Sequence, residues 1–214
     1  VSSKIVKEYF EIYFKKYLNY QTSKKKAEVI NTGYLKLDHV GKLLKKYKKE
    51  KNNFCILIAP TASKHYNKDN LSSDIKAMIN FLVKKKYEII YRPHPMDLTK
   101  KGDMNIVNKI KNKYEEFKNF KLDISSSYLE SYSKSDVLIT DFSGTAYTYA
   151  FSKNSPVIFF SKYANNKLKN DFKKLYYFRD RNKVGYVVNN FLSLDRKLNK
   201  IKKNKNIFFD RIKK

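Results

Sequence analysis

The sequence predicts an α/β domain of the Rossmann-like type, a doubly wound parallel sheet of about six strands, and three features carry that expectation. Short, continuously apolar runs such as Phe54-Cys55-Ile56-Leu57-Ile58-Ala59 and Val157-Ile158-Phe159-Phe160 read as strands buried on both faces. Helical periodicities separate these runs, so the connections are too long for hairpins and suit parallel crossovers. Polar residues gather directly after the apolar runs, where open parallel sheets bind ligands.

In chain order, Ile5 to Leu18 and Leu35 to Lys48 show helical spacing of apolar residues, with a polar, Lys-rich connection over Asn19 to Thr32. Residues 1–27 are therefore read as a helical segment and linker, and residues 28–214 as the nucleotide-binding domain. Within that domain the expected strands are Phe54–Ala59, Tyr87–Tyr91, Phe120–Leu122, Val137–Thr140, Val157–Phe160 and Tyr186–Val188. The expected helices between and after them are Ser72–Val83, Met104–Phe117, Tyr128–Lys134, Thr145–Ser152 and Phe191–Ile201. There is no internal repeat.

Composition narrows the function. Apolar residues make up 42% of the chain and aromatics 15%, enough for a sizeable core. The longest apolar runs fall far short of the roughly 20 residues a membrane-spanning helix needs. The single cysteine, Cys55, lies in a strand pattern, which excludes a disulfide framework and suits a reducing, cytoplasmic setting. The opening Val1-Ser2-Ser3-Lys4 has no signal-peptide layout and reads as an excerpt with residues upstream. The formal net charge of +27 invites a nucleic-acid partner, yet only five of the 47 basic residues are Arg. Surfaces that read nucleic acid favour the guanidinium fork, so no nucleic acid is expected. The lysine excess reads first as a compositional Lys/Asn bias on solvated helix faces. Lys-rich stretches such as Lys42 to Lys51 and Lys197 to Lys214 would also suit the surface of an anionic membrane, so the chain is expected in the cytoplasm or peripherally on the membrane's cytoplasmic face.

The strand exits carry the candidate chemistry. In Asp141-Phe142-Ser143-Gly144-Thr145 a buried strand runs into a small, hydroxyl-rich turn and then a helix, whose amino end presents unpaired N–H groups and partial positive charge to a diphosphate. Gly144 permits close approach, and Ser143 and Thr145 can donate to phosphate oxygens. Asp141 or Ser143 acting as a helix cap is the competing reading, compatible with the first. In Arg92-Pro93-His94-Pro95 the prolines stiffen the backbone around His94, and Arg92 offers a fixed charge; together they could neutralise a leaving phosphate, with His94 donating a hydrogen bond or proton. His39 and His65 are read as surface residues and Cys55 as core. The chain has no Walker loop, GxGxxG fingerprint, zinc-like Cys/His spacing, HExxH or GxSxG.

Taken in order, Thr32-Gly33-Tyr34-Leu35-Lys36-Leu37-Asp38, Ile58-Ala59-Pro60-Thr61, Arg92-Pro93-His94-Pro95, Thr140-Asp141-Phe142-Ser143-Gly144 and Pro156-Val157-Ile158-Phe159-Phe160 form a pattern. It resembles the C-terminal domain of the CDP-glycerol glycerophosphotransferases, the teichoic-acid and capsule polymerases, over Asn31 to Val188. The resemblance implies the C-terminal half of a GT-B fold that binds a CDP-linked donor and transfers glycerol phosphate to a polymer or lipid-linked acceptor, releasing CMP. It requires no metal and no cofactor besides the donor. Carried over by position, Arg92 and His94 match a basic-His-Pro element near the donor phosphates. Asp141, Ser143 and Gly144 match an acidic-aromatic-Ser-Ser turn, and Thr61, with Ser63 shortly after it, matches a Pro-Thr element. The chain differs in having Gly144 for a second Ser, Ser63 and Lys64 where an Arg is usual, and no Trp, so the Trp-His-Gly element of an N-terminal acceptor domain is absent here.

Two other functions compete. A UDP-sugar-dependent GT-B glycosyltransferase or nucleotide-sugar epimerase would share the turn at Gly144, but such proteins place carboxylates in the following helix, and Ala146-Tyr147-Thr148-Tyr149-Ala150 has none. A non-enzymatic Lys-rich module for polyanions or membranes explains the charge but not the polar strand exits.

Overall fold

The computed structural model describes residues 30, 33–47, 53–63, 71–99, 101–160 and 176–213. The expected helix over Ile5 to Leu18, the linker that follows it except residue 30, the boundary after residue 27 and His65 lie outside the described residues.

The elements are α1 (Leu35–Lys46), β1 (Cys55–Ile58), a 3-10 turn (Leu71–Ser73), α2 (Ile75–Lys84), β2 (Glu88–Tyr91), α3 (Pro95–Thr99), α4 (Lys101–Tyr114) and β3 (Phe120–Leu122). There follow α5 (Leu129–Lys134), β4 (Val137–Thr140), α6 (Thr145–Lys153), β5 (Val157–Phe160), α7 (Tyr176–Arg179), α8 (Arg181–Val184), β6 (Gly185–Val188), α9 (Phe191–Lys203) and α10 (Phe209–Lys213). All six expected strands are present to within a residue or two. The strands pair in parallel in the order β3-β2-β1-β4-β5-β6. That order reverses between β1 and β4, the switch point at which doubly wound sheets open a crevice beyond their carboxyl ends.

Period-two alternation along each strand feeds two cores. Ile56, Ile58, Ile89, Val137, Ile139 and Phe160 face one side, where α2, α4 and α9 supply Met78, Leu82, Ile110, Leu194 and Leu198. Leu57, Ile90, Leu138, Val157 and Phe159 face the other, covered by Tyr132 of α5, Tyr149 and Ala150 of α6, and Ile212 of α10. Both faces of every central strand are thereby dry, which is why these strands are unbroken Val/Ile/Leu/Phe runs. Burial pushes the phenol of Tyr149 up, against a hydrogen bond with Ser135 that lowers it.

Several expectations are refined. The helix anticipated over Ser72–Val83 is split into the 3-10 turn and α2, and the one over Met104–Phe117 begins at Lys101 and ends at Tyr114. Helices α3, α7, α8 and α10 are four or five residues long, too short to leave a periodic signal.

Gly185 opens β6 opposite Val157. A Cβ placed there would lie 1.7 Å from the Val157 carbonyl oxygen, so only glycine lets β6 reach β5. Gly185→Ala is expected to cost about 3 kcal/mol by forcing β6 from the sheet, measured by urea unfolding; a loss within about 0.5 kcal/mol, the range of ordinary surface changes, would contradict this packing.

Candidate functional site

β1 and β4 lie side by side, and their exits are joined by one carboxylate. Asp141, 1% exposed, accepts from the Thr61 backbone N–H at 2.9 Å and from the Thr61 hydroxyl through Oδ1, and from the Leu71 N–H at 2.9 Å through Oδ2. Ser72 adds a bond from its hydroxyl to the Thr61 carbonyl at 3.3 Å. Asp141 is thus neither a helix cap nor turned to a ligand: both oxygens hold the β1 exit and the 3-10 turn in place. The Thr61 hydroxyl, expected to donate to phosphate, donates to Asp141 instead.

A second buried carboxylate, Asp97 on α3, was not anticipated. Its Oδ1 accepts from both the backbone N–H and the hydroxyl of Ser63 at 3.0 Å, so Ser63 too points inward rather than at a donor. Burial, with the nearby Asp97 charge, raises the Tyr91 phenol. Asp97 therefore ties the β1 exit to the Arg92-Pro93-His94-Pro95 turn.

In that turn Pro95 occupies the first helical position of α3, where a missing N–H costs nothing. His94 precedes it, and its Nδ1 accepts from the Met96 N–H at 3.2 Å. A neutral ring that accepts at Nδ1 carries its proton on Nε2, so His94 presents an N–H donor. Arg92 departs from the expected role. Its guanidinium donates to Asp123 at 2.7 Å and to the Ser125 hydroxyl and carbonyl at 3.3 and 2.8 Å, turned toward the β3 exit. The reason is strand order: β3 flanks β2 on the side away from β1, and buried Asp123 needs a counter-charge.

Burial pushes the Asp123 carboxyl up, but hydrogen bonds from Ser125, Ser131 and Arg92 outweigh it, and the group titrates below the ordinary range. From Ser131 the network passes to its neighbour Tyr132, whose hydroxyl lies 2.9 Å from the Thr145 hydroxyl at the start of α6. Burial raises the Tyr132 phenol to about 12, so it stays protonated and bonded. Thr145 is engaged there, while the Ser143 hydroxyl sits 3.4 Å from the Thr145 N–H. Gly144 is the cap residue and brings no side-chain acceptor to the first turn. A Cβ at Gly144 would meet nothing within 4 Å at its φ of −58°. The space above is open, and glycine's freedom is not required there.

Of the eight anticipated residues, then, Arg92, Thr61, Ser63, Asp141 and Thr145 bond across the strand exits and brace them, whereas the side chains of His94 and Ser143 meet the backbone of their own turns and Gly144 is exposed. The bracing partners Asp97, Asp123, Ser131 and Tyr132 lie on short helices and turns whose proximity follows only from the sheet order.

Asp141→Asn replaces an acceptor with an amide whose NH₂ opposes donors, and is expected to cost about 2–3 kcal/mol, read as a shifted urea midpoint; an unchanged midpoint would remove the clamp. Asp123 has a lowered folded pKa, so its stabilisation is complete above the unfolded carboxylate range near about 4 and fades as pH falls through the folded value. The stability gap between the parent and Asp123→Asn should therefore narrow on acidification, followed by denaturant unfolding across the acidic range; a gap that widens contradicts the pairing.

The LIC12162 family transferase model matches residues 8–204. The minor teichoic acid biosynthesis protein GgaB of Bacillus subtilis (strain 168) is 30% identical over 158 residues, covering 71% of this chain but only 15% of GgaB. Among solved structures, the wall teichoic acid polymerase TagF is 21% identical, with 84% of this chain and 41% of that one covered at a TM-score of 0.47. MurG of Acinetobacter baumannii is 7% identical, with 88% and 53% covered at 0.47. The chain thus spans a small part of its curated relative. The family match and the GgaB relationship bear out the teichoic-acid-polymerase type that the five motifs resemble. The chain belongs to the LIC12162 family transferases.

Proposed function

We propose that the chain is the donor-binding half of a GT-B transferase of cell-surface polymer synthesis. It takes a CDP-linked alditol phosphate, with CDP-glycerol as the reference donor, and serves transfer of the alditol phosphate to a polymer or lipid-linked acceptor. What supports this reading is the pairing of two donor groups across the switch point: the amino end of α6 at Ser143-Gly144, and the Nε2–H of His94 at the β2 exit. β2 and β4 flank β1, about 10 Å apart at the usual strand spacing. A diphosphate bridging their exits lies over Pro60-Thr61, which the carboxylates hold still.

In the proposed reaction an acceptor hydroxyl attacks the phosphorus that bears the glycerol. The new P–O bond forms as the bond to the bridging oxygen breaks, the electron pair leaves with CMP, and the hydroxyl proton passes to a base on the acceptor side. Negative charge grows on the departing phosphate. The helix end and His94 face that charge already oriented, so no reorganisation is needed as it develops. Arg92 acts through Asp123 as a brace of the β2 and β3 exits.

Calorimetric titration with CDP-glycerol, CMP and UDP-sugars tests the assignment. Cytidine nucleotides should bind in preference to uridine ones, without turnover by this piece alone. His94→Ala should weaken CDP-glycerol at least about tenfold, the worth of one charge-assisted hydrogen bond, with CMP less affected. Uridine nucleotides binding as tightly as cytidine ones would sink the CDP assignment.

A further inference from the structure

Among the described residues the amino edge of the sheet is rich in lysine. Each helix that follows a strand runs back along it and ends at the amino edge, opposite the switch point. There α2 ends in Lys84 followed by Lys85 and Lys86, and α9 carries Lys200, Lys202 and Lys203 in its last turn. Contacts fix this placement: the Lys202 ammonium stands 5.9 Å from the Tyr87 ring centroid and that of Lys205 5.8 Å from the Phe54 ring, both rings at the foot of central strands. Lys118, Lys121 and Lys134 border an open cleft of about 460 Å³ on the same edge, lined also by Cys55, Ile90 and Phe120.

Much of the acid on this edge is spent locally. Asp136 is buried and takes Lys205 at 3.0 Å, Asp195 takes Lys85 at 3.1 Å, and Glu130 takes Lys121 and Lys134 at 3.0 and 2.8 Å. Glu115 meets Lys111 at 4.0 Å, and Glu88 accepts from Asn53 at 3.4 Å. Lys84, Lys118, Lys200 and Lys203 are exposed and enter no ion pair among the described residues. The helix dipole favours lysine in a last turn, which accounts for Lys84 and Lys203. It does not account for Lys118, which stands outside helices.

We propose that this amino edge is a docking face for an anionic lipid bilayer. Ammonium groups are compact point charges suited to a diffuse sheet of phosphates, and Lys118 stands unpaired at the mouth of a cleft whose lining also includes Asn53, Glu88 and Asn119. The four-residue central strands set the switch point about 13 Å from this face. That exceeds the about 8 Å over which salt screens charge, so a diphosphate at the far edge is not repelled by the lipids beneath.

Co-sedimentation of the full chain with vesicles of phosphatidylcholine, with and without phosphatidylglycerol, tests the proposal. Binding is expected only to the acidic vesicles and should fade with salt. The triple variant Lys84→Gln, Lys118→Gln, Lys203→Gln should weaken partitioning on the order of a hundredfold. The triple Lys36→Gln, Lys76→Gln, Lys109→Gln removes equal charge elsewhere and should leave it within about threefold. Unchanged thermal melts exclude a folding defect in either. Equal binding to neutral vesicles, or equal loss in both triples, overturns the proposal. So does loss of RNA binding in the first triple with vesicle binding spared, which would make the face a nucleic-acid surface.

Discussion

Asp141 sits where the sheet reverses its order, and the shape of the crevice follows from what its carboxylate requires. A carboxylate 1% exposed is costly unless its oxygens are met by donors, and here the donors come from segments that share no regular structure with it: the β1 exit and the turn before α2. Once those bonds are made, Thr61 and Leu71 are fixed relative to β4, and the chain beyond Asp141 can rise only as Phe142-Ser143-Gly144 into α6. The helix end that faces the crevice is therefore positioned by a group that does not face it.

The same economy recurs at the neighbouring exits. Asp97 holds Ser63, and Asp123 holds Ser125, Ser131 and Arg92. Hydroxyls gathered after parallel strands read as ligand donors, yet a buried carboxylate nearby competes for each proton with a fixed, charged acceptor at a distance no mobile ligand improves on. The carboxylates win that competition at Thr61 and Ser63. Among the described residues no carboxylate bonds the Ser143 hydroxyl, which lies a long 3.4 Å from the Thr145 N–H, so this hydroxyl is not held as those of Thr61 and Ser63 are.

The legible parts of this molecule were those written in local pattern. Val137-Leu138-Ile139-Thr140 announces a strand buried on both faces, and the small residues after it announce a turn into a helix; both stand where expected. The direction of Arg92 was not legible, because it depends on β3 lying beside β2, a fact of topology rather than spacing. Asp97 was hidden for a similar reason: it is a lone acid in Pro95-Met96-Asp97-Leu98, and only the approach of Ser63, 34 residues earlier, makes it a strut. The role of Gly185 lies in the nearness of the Val157 carbonyl, which only the pairing of β6 with β5 brings about.

Among the described residues, the unpaired lysines of the amino edge and the donors of the proposed site lie at opposite ends of the strands. Among the described residues the carboxyl edge holds three buried carboxylates, and its arginine at the β2 exit is already paired. The lysines that make up the chain charge of +27 can draw any polyanion inward, and at that range they do not distinguish one nucleotide from another. Under the proposed function, discrimination at the switch point rests on directed donors, the Nε2–H of His94 and the amino end of α6, whose aim depends on carboxylates held within the protein. A site built this way is sensitive to geometry more than to net charge. Removing a brace should disturb it more than removing a surface lysine, even though the lysine is the closer analogue of what phosphate is thought to need.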